Sequence, residues 1–430
     1  MVIAITLFVG LVSGSYPSFY LSSFSPLEVL KSNVNPRQGK GLMRKILVVF
    51  QFAVAGTLII CTIVVSGQQR YIHHKDLGLD KENVMIIPMR DTAFINHQLQ
   101  AFKNELEENP SISGVASSLL VPPFMASKVV FWIEKEEGMV ELATSFSVVD
   151  HEFIDVMGIE IAQGRNFDRM RPADLTGAFI VNEEAVKAFG WGDNPLGKRI
   201  RFGVNPATGE AQRDGEVIGV VKDFHFSSIH NKIEPFIFVV SENPNTNFYV
   251  RISGDNIPAS VEYISTTMAN LGNSLPFNYF FFADKLDEMY TAENKLNSLF
   301  NIFSILTILI ACIGLLGLTS YVTEQRSREV GIRKIMGADV KQVVWLLNKD
   351  FLMLVLLSNL ISWPVSYYFM DKWLQGFEYR MAFGLAPFVA ATLVPFLLSL
   401  VITLVIALIT TSLVSVRAAG TNPVNTLRRE

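Results

Sequence analysis

Charge is scarce in this chain. Asp, Glu, Lys and Arg make up 18% of its 430 residues, where an ordinary soluble protein carries about 25%, and half of all residues are hydrophobic. Cysteine is scarcer still: Cys61 and Cys312 are the two present, and both fall inside apolar runs, which excludes a disulfide framework. The six histidines include the pair His73 and His74 and the spaced His225 and His230. They form no H-E-x-x-H or cysteine-partnered pattern, so no metal is expected and surface or turn roles are. No G-x-S-x-G elbow occurs, and no carboxylate pair stands out among the scattered acids. The chain reads as non-catalytic, without cofactor and without a nucleic-acid partner.

One motif imitates a nucleotide site. Gly192-Asp193-Asn194-Pro195-Leu196-Gly197-Lys198 fits the G-x-x-x-x-G-K of a phosphate loop. The residue that follows is Arg199 rather than the Ser or Thr that would hold magnesium, and Pro195 removes an N–H from the cradle. A Gly/Pro turn between a helix and a strand is the better expectation.

Hydrophobic runs, by contrast, are plentiful. Crossing a hydrocarbon layer of ~30 Å takes roughly 20 apolar residues, and residues 46–66, 297–322 and 387–416 supply them. Residues 351–370 form a further span despite Asn359 and Pro364, which lipid tolerates when neighbouring helices satisfy the freed backbone. Residues 1–24 carry no charge and contain Gly10, Gly14 and Pro17. With no Lys or Arg before Lys31 they suit a span better than a signal peptide. The spans contain no charged residue, which argues against an ion or proton pathway, and they read as poor in polar residues too.

The distribution of Lys and Arg sets orientation. The linker 25–45, the loop 323–349 and the tail 417–430 carry the basic excess, with 14 basic residues against 6 acidic ones once the adjoining Asp350 is counted, and fall on one side by parity. The loop 371–386 balances Lys372 and Arg380 against Asp371 and Glu378. From Gly67 to Asn297 the chain has 20 basic and 32 acidic residues, an acidic domain on the outer face. The expected architecture is an α-helical transmembrane bundle with an inserted α+β extracytoplasmic domain at 67–296, in a bacterial inner membrane.

Within that domain, runs such as Val84 to Met89, Ser113 to Val121, Lys128 to Ile133, Ala178 to Asn182, Glu216 to Val221 and Phe248 to Ile252 read as strands. Helical patterns sit at Ala93 to Glu108, Glu183 to Phe189 and Pro258 to Leu271. A last helix is expected from Asp284 straight into the following span as a continuous rod, since no Gly or Pro interrupts it before Gly314.

The most informative cytoplasmic stretch runs from Glu324 to Asp339. Val330, Ile332, Ile335 and Met336 interleave with charges of both signs, a short amphipathic element too small to bury itself, which suits either a docking partner or the bilayer surface. Gly337 can end it, and Asp339 with Gln342 can cap the next helix.

This stretch resembles the E-x-R-x-R-E-[IV]-G-[IL]-R-[KR]-x-x-G-A signature of MacB/FtsX-type ABC transporter permeases. The segments Val148 to Phe153, Met157 to Phe167, Val181 to Glu183, Pro195 to Lys198 and Val217 to Phe224 are similar in order to the MacB-like periplasmic core domain. The resemblance implies that Glu324, Arg326, Arg328, Glu329, Gly331, Arg333, Lys334, Gly337 and Ala338 couple to a separate cytoplasmic ABC ATPase. ATP-driven shifts would then rearrange the outer domain, a mechanism called mechanotransmission, in export or extraction of a substrate; no substrate need cross the apolar spans. A membrane-anchored sensor or a cell-wall hydrolase regulator is the alternative. Pro26-Leu27-Glu28-Val29-Leu30-Lys31 repeats the spacing of Pro423-Val424-Asn425-Thr426-Leu427-Arg428. The repeat suggests a duplicated permease whose first half is mostly absent here, so expected partners are that repeat or a second permease, the ATPase, the lipid bilayer and a periplasmic adaptor.

Overall fold

The computed structural model describes residues 10–11, 39–121, 128–205, 208–242, 247–253, 256–381, 383 and 390–420. The expected first span at 1–24, most of the linker and both P-x-x-x-L-[KR] segments lie outside the described residues.

The chain runs through α1 (Gly39–His74), β1 (Val84–Pro88), α2 (Thr92–Glu107), β2 (Ile112–Ser118), β3 (Lys128–Lys135) and β4 (Gly138–Val149). Then come the single turn α3 (Phe153–Val156), β5 (Ile161–Gly164), the single turn α4 (Asp174–Gly177), β6 (Ala178–Asn182), α5 (Glu183–Phe189), β7 (Arg199–Val204) and β8 (Ala211–Val221). The rest is β9 (Phe236–Val240), β10 (Asn247–Ile252), α6 (Ile257–Asn270), β11 (Phe280–Phe281), α7 (Phe282–Met289), α8 (Thr291–Gln325), α9 (Ser327–Ile335), α10 (Val340–Leu374) and α11 (Ala390–Gly420). These make two compact units, one β-rich (Thr62–Phe300 with Tyr368–Thr392) and one helical, comprising Met1–Cys61, Asn301–Tyr367 and Leu393–Glu430.

Among the described residues four helices are long and apolar enough to cross a membrane: Leu42–His74, Thr291–Gln325, Val340–Leu374 and Leu393–Arg417. Three of them run well past both ends of the charge-free stretches that reveal them. Those stretches mark where hydrocarbon fits, while the backbone ladder continues through polar residues beyond it. Asn359 and Pro364 leave α10 unbroken.

The β-rich unit holds one sheet with two parts. Strands β4, β3, β7, β8, β6 and β9 pair in a closed circuit, because β9 returns to pair with β4. Closure removes the exposed edges that invite unwanted pairing. Joined to it through Ser118 and Val149 is a second run, β2-β10-β1-β11. There α2 and α6 supply Phe94, Leu99, Phe102, Ile264 and Met268 to a core with Met85, Ile87, Phe248 and Val250. The chain between β2 and β10 is thus an insertion that builds the circuit.

Strands β6 and β9 read as unbroken apolar runs because both their faces are covered. Phe179, Val181, Ile237 and Val239 enter one core, while Ala178, Ile180, Phe236, Phe238 and Val240 enter another. The second core gathers Phe224, Phe226, Phe236 and Phe238, with ring centroids 4.5 to 5.7 Å apart. Full burial of each ring is worth about 1.5–3 kcal/mol. A Cβ on Gly215 would overlap the backbone of Gly177, so that close approach requires glycine.

The expected rod from Asp284 into the span is broken. The helix stops at Met289, Tyr290 takes φ −98 and ψ 19, and α8 starts at Thr291. Tyr290 is buried in the β-rich core, and its hydroxyl accepts from the Ile229 N–H at 3.4 Å. Anchoring that side chain costs the helix its continuity, a constraint that needs neither Gly nor Pro.

The spans are also not poor in polar residues. Asn348, Ser358, Asn359, Ser362, Ser366, Ser399, Thr403, Thr410, Thr411 and Ser415 are all buried. Asn359 Nδ2 donates to Thr403 Oγ1 at 3.0 Å and to the Val355 carbonyl at 2.9 Å. Asn348 Nδ2 donates to Ser412 Oγ at 2.9 Å, and Ser415 Oγ returns a bond to Asn348 Oδ1 at 3.0 Å. Ser399 Oγ bonds the Gly56 carbonyl at 3.2 Å. In lipid, where no hydrophobic force pulls helices together, small hydroxyl and amide side chains do so. A mean hydropathy over a window hides them.

Candidate functional site

The amphipathic stretch folds as an independent short helix between two long ones. Helix α8 ends at Gln325, Arg326 breaks the path with φ −94 and ψ 8, and α9 follows. Arg326 Nη2 donates to Asp350 Oδ2 at 2.9 Å, tying the corner to α10. Glu329 and Arg333 pair at 2.9 Å one turn apart, an exposed contact worth about 0.3–0.5 kcal/mol.

The end of α9 explains why its sequence reads R-K-x-x-G-A. Gly337 takes φ +88, and its N–H donates to the Lys334 carbonyl at 3.0 Å. The Ala338 N–H donates to the Arg333 carbonyl at 2.9 Å. That pair of bonds is a Schellman stop, in which the left-handed position favours glycine. Ala338 then packs against Val330, Val343 and Leu347. Helix α10 starts at Val340, and the Asp339 carbonyl accepts from the Gln342 and Val343 N–H groups at 3.0 and 3.2 Å.

The interleaved apolar residues divide. Val330 is buried, whereas Ile332, Ile335 and Met336 stand 47%, 63% and 82% exposed, so most of the apolar surface of α9 is uncovered. Of the other expected coupling residues, Glu324 is exposed in the last turn of α8, Gly331 is buried and Lys334 is half-buried. Arg328 lies in the first turn of α9.

In the β-rich unit the phosphate-loop lookalike is the expected turn between α5 and β7, with Gly192 and Gly197 at φ +56 and +78. Its Gly197 N–H is taken up by the Val217 carbonyl at 2.9 Å, and Lys198 faces Glu134 at 3.5 Å.

Of the histidines expected at surfaces or turns, His230 does lie in a turn, half-exposed, whereas His225 is buried, and the two form a clasp. His225 is buried, with its ring edge on Tyr379 at 4.8 Å. Burial and then the Lys75 charge push it down to about 4. The His230 ring stacks on Phe377 at 4.1 Å, and its Nε2 lies 3.2 Å from Glu293. Lys75 Nζ sits 3.6 Å over the Tyr379 ring. Gln68 donates to the Tyr379 carbonyl at 3.0 Å and accepts from the Met381 N–H at 2.8 Å. The end of α10 and the residues after it, 371–381, are thereby seated within the β-rich unit. Tyr379 and Phe377 could have signalled contact, but their partners His225, Lys75 and His230 lie more than a hundred residues away.

A carboxylate pair also forms that sequence alone did not single out. Asp150 and Glu152 both approach Lys103, at 3.1 and 2.5 Å. The acids stand in the segment Val148 to Phe153, but Lys103 is 47 residues upstream of Asp150, beyond any local signal.

Two family models match the chain: MacB-like periplasmic core domain over residues 52–267, and FtsX-like permease C-terminal over residues 301–423. Among solved structures the chain is similar to the periplasmic region of MacB from Actinobacillus actinomycetemcomitans. Identity there is 18%, over 51% of this chain and 97% of that one, with a TM-score of 0.35. It is also similar to the extracellular domain of the noncanonic ABC-type transporter YknZ from Gram-positive bacteria, at 16% identity over 46% of this chain and 97% of that one, with a TM-score of 0.31. No curated protein matches. The first family model alone covers half of the sequence, the second takes up most of the remainder, and the chain belongs to the MacB/FtsX-type permeases of ABC transporters.

Proposed function

We propose that this permease converts ATP binding on a separate cytoplasmic ATPase into rearrangement of its extracytoplasmic domain, with α9 as the docking element. The observation that carries this is the uncovered apolar face of α9, Ile332, Ile335 and Met336, beside exposed Glu329 and Arg333. A helix of this size cannot bury that surface by itself, and an exposed apolar patch rimmed by charge marks an interaction surface. The Schellman stop and the Arg326–Asp350 bond hold α9 to the ends of α8 and α10. A partner that moves α9 therefore pulls on two spanning helices. ATP acts by favouring one of two packings of those helices, and the shift can be no larger than the partner's differential affinity for them.

The test is association with the cognate ATPase. The double variant Glu329→Lys with Gly331→Pro should lose the ATPase on co-purification while remaining membrane-inserted. Undiminished association would remove α9 from the interface. Export or extraction of a substrate would be the outcome of the cycle, and the clasp at His225, His230 and Tyr379 gives the loop between α10 and α11 a grip within the domain that must move.

A further inference from the structure

A groove of about 230 Å3 runs between α1 and α8 in the helical unit. Val48 and Leu318, both buried, line it together with the exposed Leu47 and Ile313. Its opening comes from α8. The Gln51 amide fills the space beside Gly314, whereas nothing lies within 4 Å of the place a Cβ would take on Gly317. Arg44 also lines the groove, and its guanidinium lies 4.1 Å over the Tyr321 ring. Such stacking orients the guanidinium without neutralising it. Arg44 is exposed and pairs with no carboxylate of the described residues, so an anion can reach it in exchange for water.

Depth in the membrane decides what that anion is. Helix α1 leads outward to the extracytoplasmic domain, and the basic excess of residues 25–45 sets its first turns at the cytoplasmic face. From Arg44 to Gln51 the groove follows α1 for roughly 10 Å, against about 15 Å for half of the hydrocarbon layer. It therefore descends from headgroup level into the inner leaflet, where acyl chains are the solvent. A planar guanidinium meets two phosphate oxygens side by side. A headgroup with an ammonium beyond its phosphate would find no acidic residue on α1 from Gly39 to His74, and the exposed Lys45 next to Arg44 would repel it. A headgroup of net negative charge meets neither obstacle, and basic pockets between spanning helices at the cytoplasmic face suit such lipids.

We infer that this groove binds an anionic glycerophospholipid of the inner leaflet, with its phosphate on Arg44 and the upper part of one acyl chain along Gly317. The same helix α8 continues to the corner at Arg326, so the lipid sits against a helix that the coupling role sets in motion. Its binding needs no ATPase and stands or falls separately from that role.

The experiment places the full chain in nanodiscs of one host lipid, with a trace of phosphatidylglycerol or phosphatidylcholine carrying the same photoreactive acyl chain, and maps the labelled peptides. Phosphatidylglycerol should label residues 313–318 about fivefold more than phosphatidylcholine, the scale of one basic side chain at an anionic membrane surface. Arg44→Gln should bring that ratio close to one. Lys349→Gln, which removes an exposed basic side chain outside the groove, should leave it unchanged. Gly317→Leu should fill the groove and cut labelling by both lipids; if that variant fails to insert, Arg44→Gln decides. Equal labelling by the two lipids in the unaltered chain, a preference that survives Arg44→Gln, or no labelling by either would overturn the site.

Discussion

The two units of this permease solve the same problem in opposite ways. The β-rich unit buries formal charge, as in Lys103 between Asp150 and Glu152, whereas among the described residues the buried polar groups of the helical unit are neutral: Asn348, Asn359 and a set of Ser and Thr. A buried ion pair fixes a geometry strongly but is expensive to break. Neutral hydrogen bonds between spanning helices are individually weak, because the separated helices also find partners. The contrast suits the coupling proposed above, in which spanning helices shift against each other while the β-rich unit keeps its internal geometry.

The sharpest way to break that comparison is to remove one partner from each unit. Lys103→Met leaves the buried Asp150 carboxylate uncompensated and should cost about 3–5 kcal/mol, read as a lowered denaturation midpoint of the β-rich unit. Thr403→Val in the helical unit should cost about 1 kcal/mol or less in detergent unfolding. Comparable losses would erase the distinction.

Acid provides the next largest effect. His225 is held neutral at about 4 in the folded state, below its usual 6.5, so the unfolded chain binds more protons between those values. Stability of the β-rich unit should therefore fall as pH drops from about 6.5 toward 4. His225→Phe should flatten that limb. Asp150 works in the other direction: its folded carboxyl is raised, chiefly by burial. The stability it contributes is fully present below its unfolded value and is lost as pH rises through the folded one, and Asp150→Asn should remove that slope. A pH profile unchanged in both variants would contradict the burial assigned to these groups.

A smaller effect is expected at Gly337. Ala there must adopt φ +88 and should cost about 1 kcal/mol, without steric conflict since nothing lies near its Cβ. The loss should show as weaker ATPase association, because the Schellman stop sets the angle between α9 and α10. The smallest is the coupling in a double-mutant cycle of Asn359→Leu and Thr403→Val, about 0.6 kcal/mol. A value several times larger would mean that the polar seam is a structural lock.

What the sequence revealed follows from the range of each signal. Ala178–Asn182 and Glu183–Phe189 were legible to the residue, because an apolar run ends where Asn182 caps the next helix by accepting from the Ala185 N–H. Strand β9 was missed since five buried apolar residues show no period. In β7 the charged Arg199 and Arg201 hide a strand that pairs on both sides. The helix stop at Gly337 was legible because glycine signals it locally. The break at Tyr290 was not, since its cause is a tertiary contact to Ile229. The same holds for Lys103, whose carboxylates arrive from another strand, and for the clasp around Tyr379.

The most direct measurement places a photocrosslinking amino acid at position 336, the most exposed apolar site of the α9 segment, in the full chain in its native membrane. Mass spectrometry of the adduct should identify an ABC-type ATPase, and the crosslink should vanish when Ile335 is changed to Asp. Adducts to lipid alone, with the ATPase present and active, would contradict α9 as the point where the energy source meets the membrane.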